Sequence, residues 1–208
     1  MEAGAREVTL GELCEIVSGP SGSWLAGMSA ELEGGVPVVT PADITEYNRV
    51  DHRGMKRVGR DAAAALPDRY RLRAGQILMV RQAVVGLGRR ALVRQEEDGW
   101  LFATSCVLLT VTSERLLPQY LVHYLGSTAV RSWLSHYANP GQAVSTINAR
   151  ELAWLPVVLP DLAEQQVLAG ALDEIDRQML CNAEENRRLV RLGQALLTEK
   201  TGGRRRTG

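Results

Sequence analysis

The segment from Asp161 onward most limits what this chain can be. Apolar residues recur at Leu168, Leu172, Ile175, Met179, Leu189 and Leu196, and the same 4-3-4 spacing runs through Asn182 and Asn186, which occupy the seam themselves. This is the 3.5-residue period of helices that pack along other helices. Pro160 precedes the run, and Asp161 followed three residues later by Glu164 has the form of an N-terminal capping box. A helix over 162–199 would be about 57 Å long. One helix of that length cannot bury its seam on a small domain, so a second helix is expected against it. Asparagines in the seam cost stability but favour one register over slipped ones. The alternative is a helix folded back on its own domain, with the asparagines at a kink.

Upstream of Pro160 the pattern changes from helical to β-like. Strands are expected at Glu15–Ser18, Val36–Thr40, Gln76–Val80, Arg90–Val93 and Cys106–Val111, with Trp100 and Phe102 alternating as in a half-buried strand. Helices are expected later. Pro118 suits the first position of a helix through QYLVHYL that stops at Gly126, and Ser127 caps TAVRSWLSHY, where Val130, Trp133, Leu134 and Tyr137 share a face. Thr146 to Trp154 reads as a short helix. The predicted class is α+β: a domain of short mixed strands and helices over 1–160, a long C-terminal coiled-coil-forming helix over 161–200, and a basic tail, 201–208, expected to be disordered.

The chain has 208 residues and is 45% hydrophobic, which suits a globular domain with an appendage. No run approaches the eighteen apolar residues of a membrane span, and MEAGAREVTL lacks the form of a secretion signal, so a cytoplasmic protein is expected. Cys14, Cys106 and Cys181 are odd in number and far apart, unlike a disulfide framework or a paired-cysteine zinc site. The net charge of zero hides segregation: residues 1–48 carry −7, and residues 49–94 carry twelve Arg or Lys against three Asp, net +9. Such a block is a candidate phosphate-binding surface, unless its arginines pair with the acids of the first segment.

Catalytic patterns are missing. The histidines, His52, His123 and His136, form no HExxH, and there is no GxSxG elbow. Gly86-Leu87-Gly88 is a lone GxG followed by strand-like sequence, where a dinucleotide fingerprint needs a helix. Asn139-Pro140 is followed by Gly141 rather than by the proline and aromatic residue of amino-methyltransferases. Asp61 and Asp68 sit among arginines without the acid cluster of a nuclease. The expectation is a non-catalytic chain with no metal or cofactor of its own.

The order of the segments resembles one half of a specificity (S) subunit of a type I restriction–modification system. LGELCEIVSG (10–19), GGVPVVTPADI (34–44), LRAGQILMVRQAVVGLGRRALV (72–93) and LLPQYLVHYLGS (116–127) resemble successive motifs of that family, with Gln76 in place of a usual Asp. TINARELAWLPVVLPDLAEQQ (146–166) is similar to its signature at the start of the spacer helix. The resemblance implies a target-recognition domain followed by a spacer. In the full subunit two such halves place two helices antiparallel, each domain reads one part of a split DNA site, and the helices hold methyltransferase (M) subunits. The M subunits would bring S-adenosylmethionine and methylate adenine at N6, and restriction (R) subunits are further partners. The Met start and the basic tail favour a natural half-subunit over a fragment.

Within this reading double-stranded DNA would be held by the basic block: Arg49, Arg53, Lys56, Arg57 and Arg60 as phosphate contacts, Arg81 and Gln82 as base readers, and Arg89 and Arg90 reaching a groove. Gln142, Ser145 and Thr146 are further candidates in the polar loop after the second helix. Leu168, Leu172, Ile175, Met179, Asn182, Asn186, Leu189 and Leu196 would form the seam of a homodimer. The competing expectations are a stand-alone dimeric DNA-binding regulator and a coiled-coil adaptor whose arginines bind a protein.

Overall fold

The structure, a computed structural model, describes residues 8–21, 26–138 and 143–202, with side chains as far as Thr198. In chain order, Val8–Thr9 (β1) leads into Leu10–Leu13 (α1), where the Thr9 N–H and hydroxyl both donate to Glu12 (2.7 and 3.0 Å). Cys14–Ser18 (β2) and Val36–Val39 (β3) follow, then Arg57–Val58 (β4) and Arg60–Ala64 (α2). Ile77–Val80 (β5), Gln82–Ala83 (β6), Arg90–Leu92 (β7), Leu101–Phe102 (β8) and Cys106–Val111 (β9) complete the strand-rich half. Pro118–Tyr124 (α3) starts on the expected proline. Thr128–Tyr137 (α4) is capped by Ser127, whose hydroxyl accepts from the Val130 N–H (3.3 Å). Ser145–Thr146 (β10), Ala149–Leu152 (α5), Pro156–Val157 (β11) and the 41-residue Leu162–Gly202 (α6) end the chain.

The expected order of strands and then helices is only approximate, because α1 and α2 fall among the strands. Both are too short to show a helical period. The short helix expected from Thr146 begins instead at Ala149. Asn148 caps it reciprocally with Glu151 (2.8 and 2.9 Å), while Thr146 lies in a strand. Leu101 and Phe102 are both fully buried, so the alternation inferred from Trp100 and Phe102 is not that of a half-exposed strand. The tail expected to be disordered begins as the last two residues of α6, and 203–208 lie outside the described residues.

The organising sheet is four-stranded and antiparallel in the order β2-β9-β5-β7. Successive side chains of a strand point to opposite faces. Ile77, Met79, Val107 and Leu109 therefore enter one cluster, with Leu121, Leu125, Val130 and Leu134 of α3 and α4. Leu78, Val80, Cys106 and Leu108 enter another, with Val39, Ile44, Val50, Leu72 and Phe102. Burial on both faces explains why β5 and most of β9 are continuously apolar rather than alternating. A smaller sheet, β4-β3-β8, has a parallel β3–β8 pair and packs Val38, Val58 and Leu101 against Ala63 and Leu66 of the α2 region. Two ribbons, β1–β11 and β6–β10, tie distant segments together.

The chain divides into two compact units, Met1–Ala169 and Gly170–Gly208. The first two turns of α6 belong to the globular unit for a polar reason as well as an apolar one. Ala169 joins the first core cluster, and the Gln165 side chain is fully buried. Its amide nitrogen donates to the carbonyls of Arg115 (2.8 Å) and Pro160 (2.9 Å), and its oxygen accepts from the Leu117 N–H (2.9 Å). Asp161 caps the helix by accepting from the Glu164 N–H (2.9 Å). The amide thus satisfies three backbone groups that would otherwise be buried without partners.

In the second unit α6 is mostly exposed, with Asp176, Leu180, Ala183 and Arg187 half-buried. The seam residues Leu172, Ile175, Met179, Leu189 and Leu196 are all exposed, as are Asn182 and Asn186. Leu168, the remaining predicted seam residue, lies in the globular unit and is also exposed. Gly193 fills the seam position between Leu189 and Leu196. The apolar surface broadens there through Val190, Leu192 and Leu197.

Candidate nucleic-acid interface

The basic block folds into three neighbouring pieces: the 45–60 loop with β4, the segment around β5, β6 and β7, and the 94–100 turn. A buried carboxylate fixes the first to the third. Glu97 is fully buried and holds His52 Nε2 (2.7 Å), the Arg94 Nη2 (2.9 Å) and the Arg94 N–H (2.5 Å). The His52 ring also meets Trp100 edge-on at 4.8 Å. The loop is bent by Asn48, a non-glycine residue at φ 54, and by Thr45, whose hydroxyl donates to the Arg49 carbonyl (2.9 Å). Nothing in the sequence marked Glu97 as a clasp, because its partners are 45 residues upstream and three residues upstream.

The arginines divide by the kind of acceptor they meet. A carboxylate cancels the charge, whereas a carbonyl fixes the guanidinium and leaves it cationic. Arg53 is bound to Asp51, Arg73 to Asp98 (3.2 Å) and Arg94 to Glu97. By contrast Arg57 donates to the Gly35 carbonyl (3.1 Å), Arg60 to that of Gly34 (2.8 Å) and Arg81 to that of Thr104 (2.9 Å). Arg49 is half-buried and Lys56 is exposed. Among the described residues, the 3.6 Å contact of Arg89 with Glu46 joins the block to an acid of the first 48 residues.

Arg90 is placed differently from the rest. Its Nε donates to the Val122 carbonyl (2.7 Å), and its guanidinium fills the space beside Gly126, where a Cβ would collide with it. A side chain at 126 would therefore displace the end of Arg90 from this position. Arg90 holds β7 to α3, which is a structural placement rather than a groove-facing one.

The structure brings Arg81 and Gln82 together with Ser145 and Thr146. Strands β6 and β10 pair antiparallel, Gln82 opposite Thr146 and Ala83 opposite Ser145. The Arg81 N–H donates to the Ser105 carbonyl (2.9 Å), and the Arg81 carbonyl accepts from the Ile147 N–H (2.9 Å), so the ribbon is anchored at its base. Gln82 is exposed, and Ser145 and Thr146 are half-buried. Gln142 lies outside the described residues. The sequence reading passed over Val84 and Val85, which stand exposed beyond β6; their signal was a β-branched pair directly before a GxG turn.

Among the described residues no group of three or more His, Cys, Asp or Glu is placed to hold a metal ion, and no helix is long and apolar enough to cross a membrane. Cys14 and Cys106 are buried, and burial pushes both thiols up to about 12. Cys181 is exposed.

Residues 4–191 match the family described as the type I restriction modification DNA specificity domain, and the chain belongs to that family. Three solved structures share the fold. One is a chain from work on complex assembly and conformational transition of the type I R-M system, with TM-score 0.60, 23% identity, 96% of this chain covered and 46% of that one. Another is the HsdS subunit from Thermoanaerobacter tengcongensis, with TM-score 0.61, 18% identity and coverages of 96% and 49%. The third is the type I restriction-modification S subunit from M. genitalium, with TM-score 0.57, 16% identity and coverages of 94% and 45%. This chain therefore spans about half the length of the solved chains it matches. No curated protein sequence matches it significantly.

Proposed function

We propose that this chain is the sequence-specific DNA-recognition subunit of a type I restriction–modification complex and that two copies join through antiparallel α6 helices. The observation that carries the reading is the exposed heptad seam of α6 in a chain of the DNA-specificity family. A second copy covers that seam. Helix α6 runs from Leu162 to Gly202, so its middle residue is Asn182. A two-fold axis two residues beyond that middle, at 184, sets Asn182 of each copy opposite Asn186 of the other, where the amides fix a register that an apolar seam leaves free to slip. Identical domains related by a two-fold axis read inverted repeats, so the target is an interrupted palindrome. The helix is about 60 Å long and places the half-sites roughly one to one and a half DNA turns apart.

The chain itself performs no catalysis in this reading. Partner M subunits, held by the helices, bring S-adenosylmethionine and methylate adenine at N6, and R subunits join the same assembly. Lys56 and the carbonyl-held Arg57 and Arg60 grip phosphates, giving affinity and salt dependence without sequence information. Gln82, with Thr146 opposite it, faces the bases. Methylation sequencing of a host co-expressing the chain with its cognate M subunit tests the reading. An interrupted palindrome modified on both strands is expected; an asymmetric bipartite motif overturns the homodimer.

A further inference from the structure

The loop from Arg81 to Arg89 projects from the β5–β7 hairpin and is closed at its neck by Val80 N–H to Arg89 carbonyl (2.7 Å) and Gly88 N–H to Val80 carbonyl (3.0 Å). It is pegged on both sides of the sheet: Ala83 packs against one core cluster and Leu87 against the other. Gly88, at φ +79, stands where a Cβ would press on Leu134, so a side chain at the return to β7 would be strained. Between the pegs, Val84 is 74% exposed and Val85 is 80% exposed. They are the two most exposed large apolar side chains among the described residues. The anchoring rules out slackness as the cause, because the residues on either side are fixed in the core. Each valine left in water forgoes the favourable transfer that burial would return.

The surroundings of the pair are cationic and polar rather than apolar. Arg81 meets a carbonyl and not a carboxylate, Arg89, 3.6 Å from Glu46, follows the tip, and exposed Gln82 precedes it. This arrangement complements a polyanion better than an apolar protein groove. The β6–β10 ribbon beneath is two-stranded, a width the DNA major groove admits, and the one apolar group on a base edge there is the thymine C5-methyl. Building on the DNA-recognition reading above, we propose that Val84 and Val85 are specificity-determining residues that contact thymine methyl groups in the major groove, beside the base read by Gln82. The pair adds an apolar element to a readout otherwise made of hydrogen bonds, and it distinguishes T from C where hydrogen bonding alone is permissive.

The test uses the full chain purified with its M subunit. A preferred site is first selected from a random duplex pool, and each thymine is then replaced in turn by deoxyuridine, which removes only the methyl. Uracil at one or two positions of each half-site is expected to weaken binding about 3- to 10-fold for the native chain. The same replacements should change binding by the Val84→Ser/Val85→Ser variant less than about 1.5-fold, at an unchanged melting temperature, because both side chains lie in solvent. Equal uracil effects in the two proteins overturn the proposal, as does a selected site in which no thymine is sensitive. Loss of M-subunit co-purification by the variant, with its DNA preference intact, overturns it in favour of a protein contact. Failure to enrich any duplex sequence defeats the underlying DNA-recognition reading, a result distinct from enrichment without a methyl effect.

Discussion

The globular unit and the long helix treat their apolar residues in contrary ways. In the first, strands β5 and β9 bury side chains on both faces, and even a polar residue, Gln165, is enclosed with its amide satisfied. In the second, a full heptad seam stays in solvent, and the helix leans on local terms such as the Glu174–Arg177 pair (2.8 Å), whose guanidinium holds the Glu174 carboxyl at about 2. Such exposed pairs contribute little. Stability of the first unit is a matter of packing, whereas order in the second depends on length and on whatever covers the seam.

Three substitutions or titrations test that contrast. The largest effect is expected at adjacent glutamines of opposite burial. Gln165→Ala strands the Leu117 N–H and two carbonyls and should cost about 3 kcal/mol in urea unfolding. Gln166→Ala, on an exposed side chain, should move the midpoint by less than about 0.5 kcal/mol. Equal costs would mean that the amide clamp contributes nothing particular.

An intermediate effect is expected at the seam. Leu172→Asp with Ile175→Asp places charges where a second helix would lie. Light scattering should show the mass fall to half while the circular dichroism of the globular unit is retained. A native chain already monomeric at tens of micromolar would remove the contrast's proposed resolution.

The last test is alkaline. Folded Cys14 and Cys106 hold their protons to about 12, against an ordinary 9.0. Tyr120 is likewise pushed by burial from 10.0 to about 12. Above pH 9 the unfolded chain therefore binds fewer protons than the native one. The stability from these neutral groups is complete below 9 and is lost as pH rises toward 12. Urea midpoints from pH 7 to 11 should be flat and then fall. At pH 8 an alkylating reagent should label Cys181 quickly and the other two only after unfolding.

Much of the fold was legible because its signals are local. The span Cys106–Val111, the helix Thr128–Tyr137 and the start of α6 follow from apolar runs, a serine cap and a Pro-Asp boundary that need no tertiary knowledge. What stayed hidden depends on partners remote in sequence. Two-residue strands such as β1 and β10 exist only through pairing with β11 and β6. α1 and α2 are too short to show a period. The site was legible in part: the basic block could be counted, but not which arginines meet carboxylates and which meet carbonyls. Arg90 illustrates the limit, since its charge suggested DNA while its packing beside Gly126 serves the domain.

The doubly buried β5 also bears on how such a domain can change. None of its four side chains faces water, so alteration within the strand disturbs one cluster or the other. The loop that follows it is free of that constraint between Val84 and Val85, while its neck is set by backbone bonds that are indifferent to side-chain identity. Changes of side chain at the outward tip can therefore be absorbed while the scaffold beneath stays unaltered.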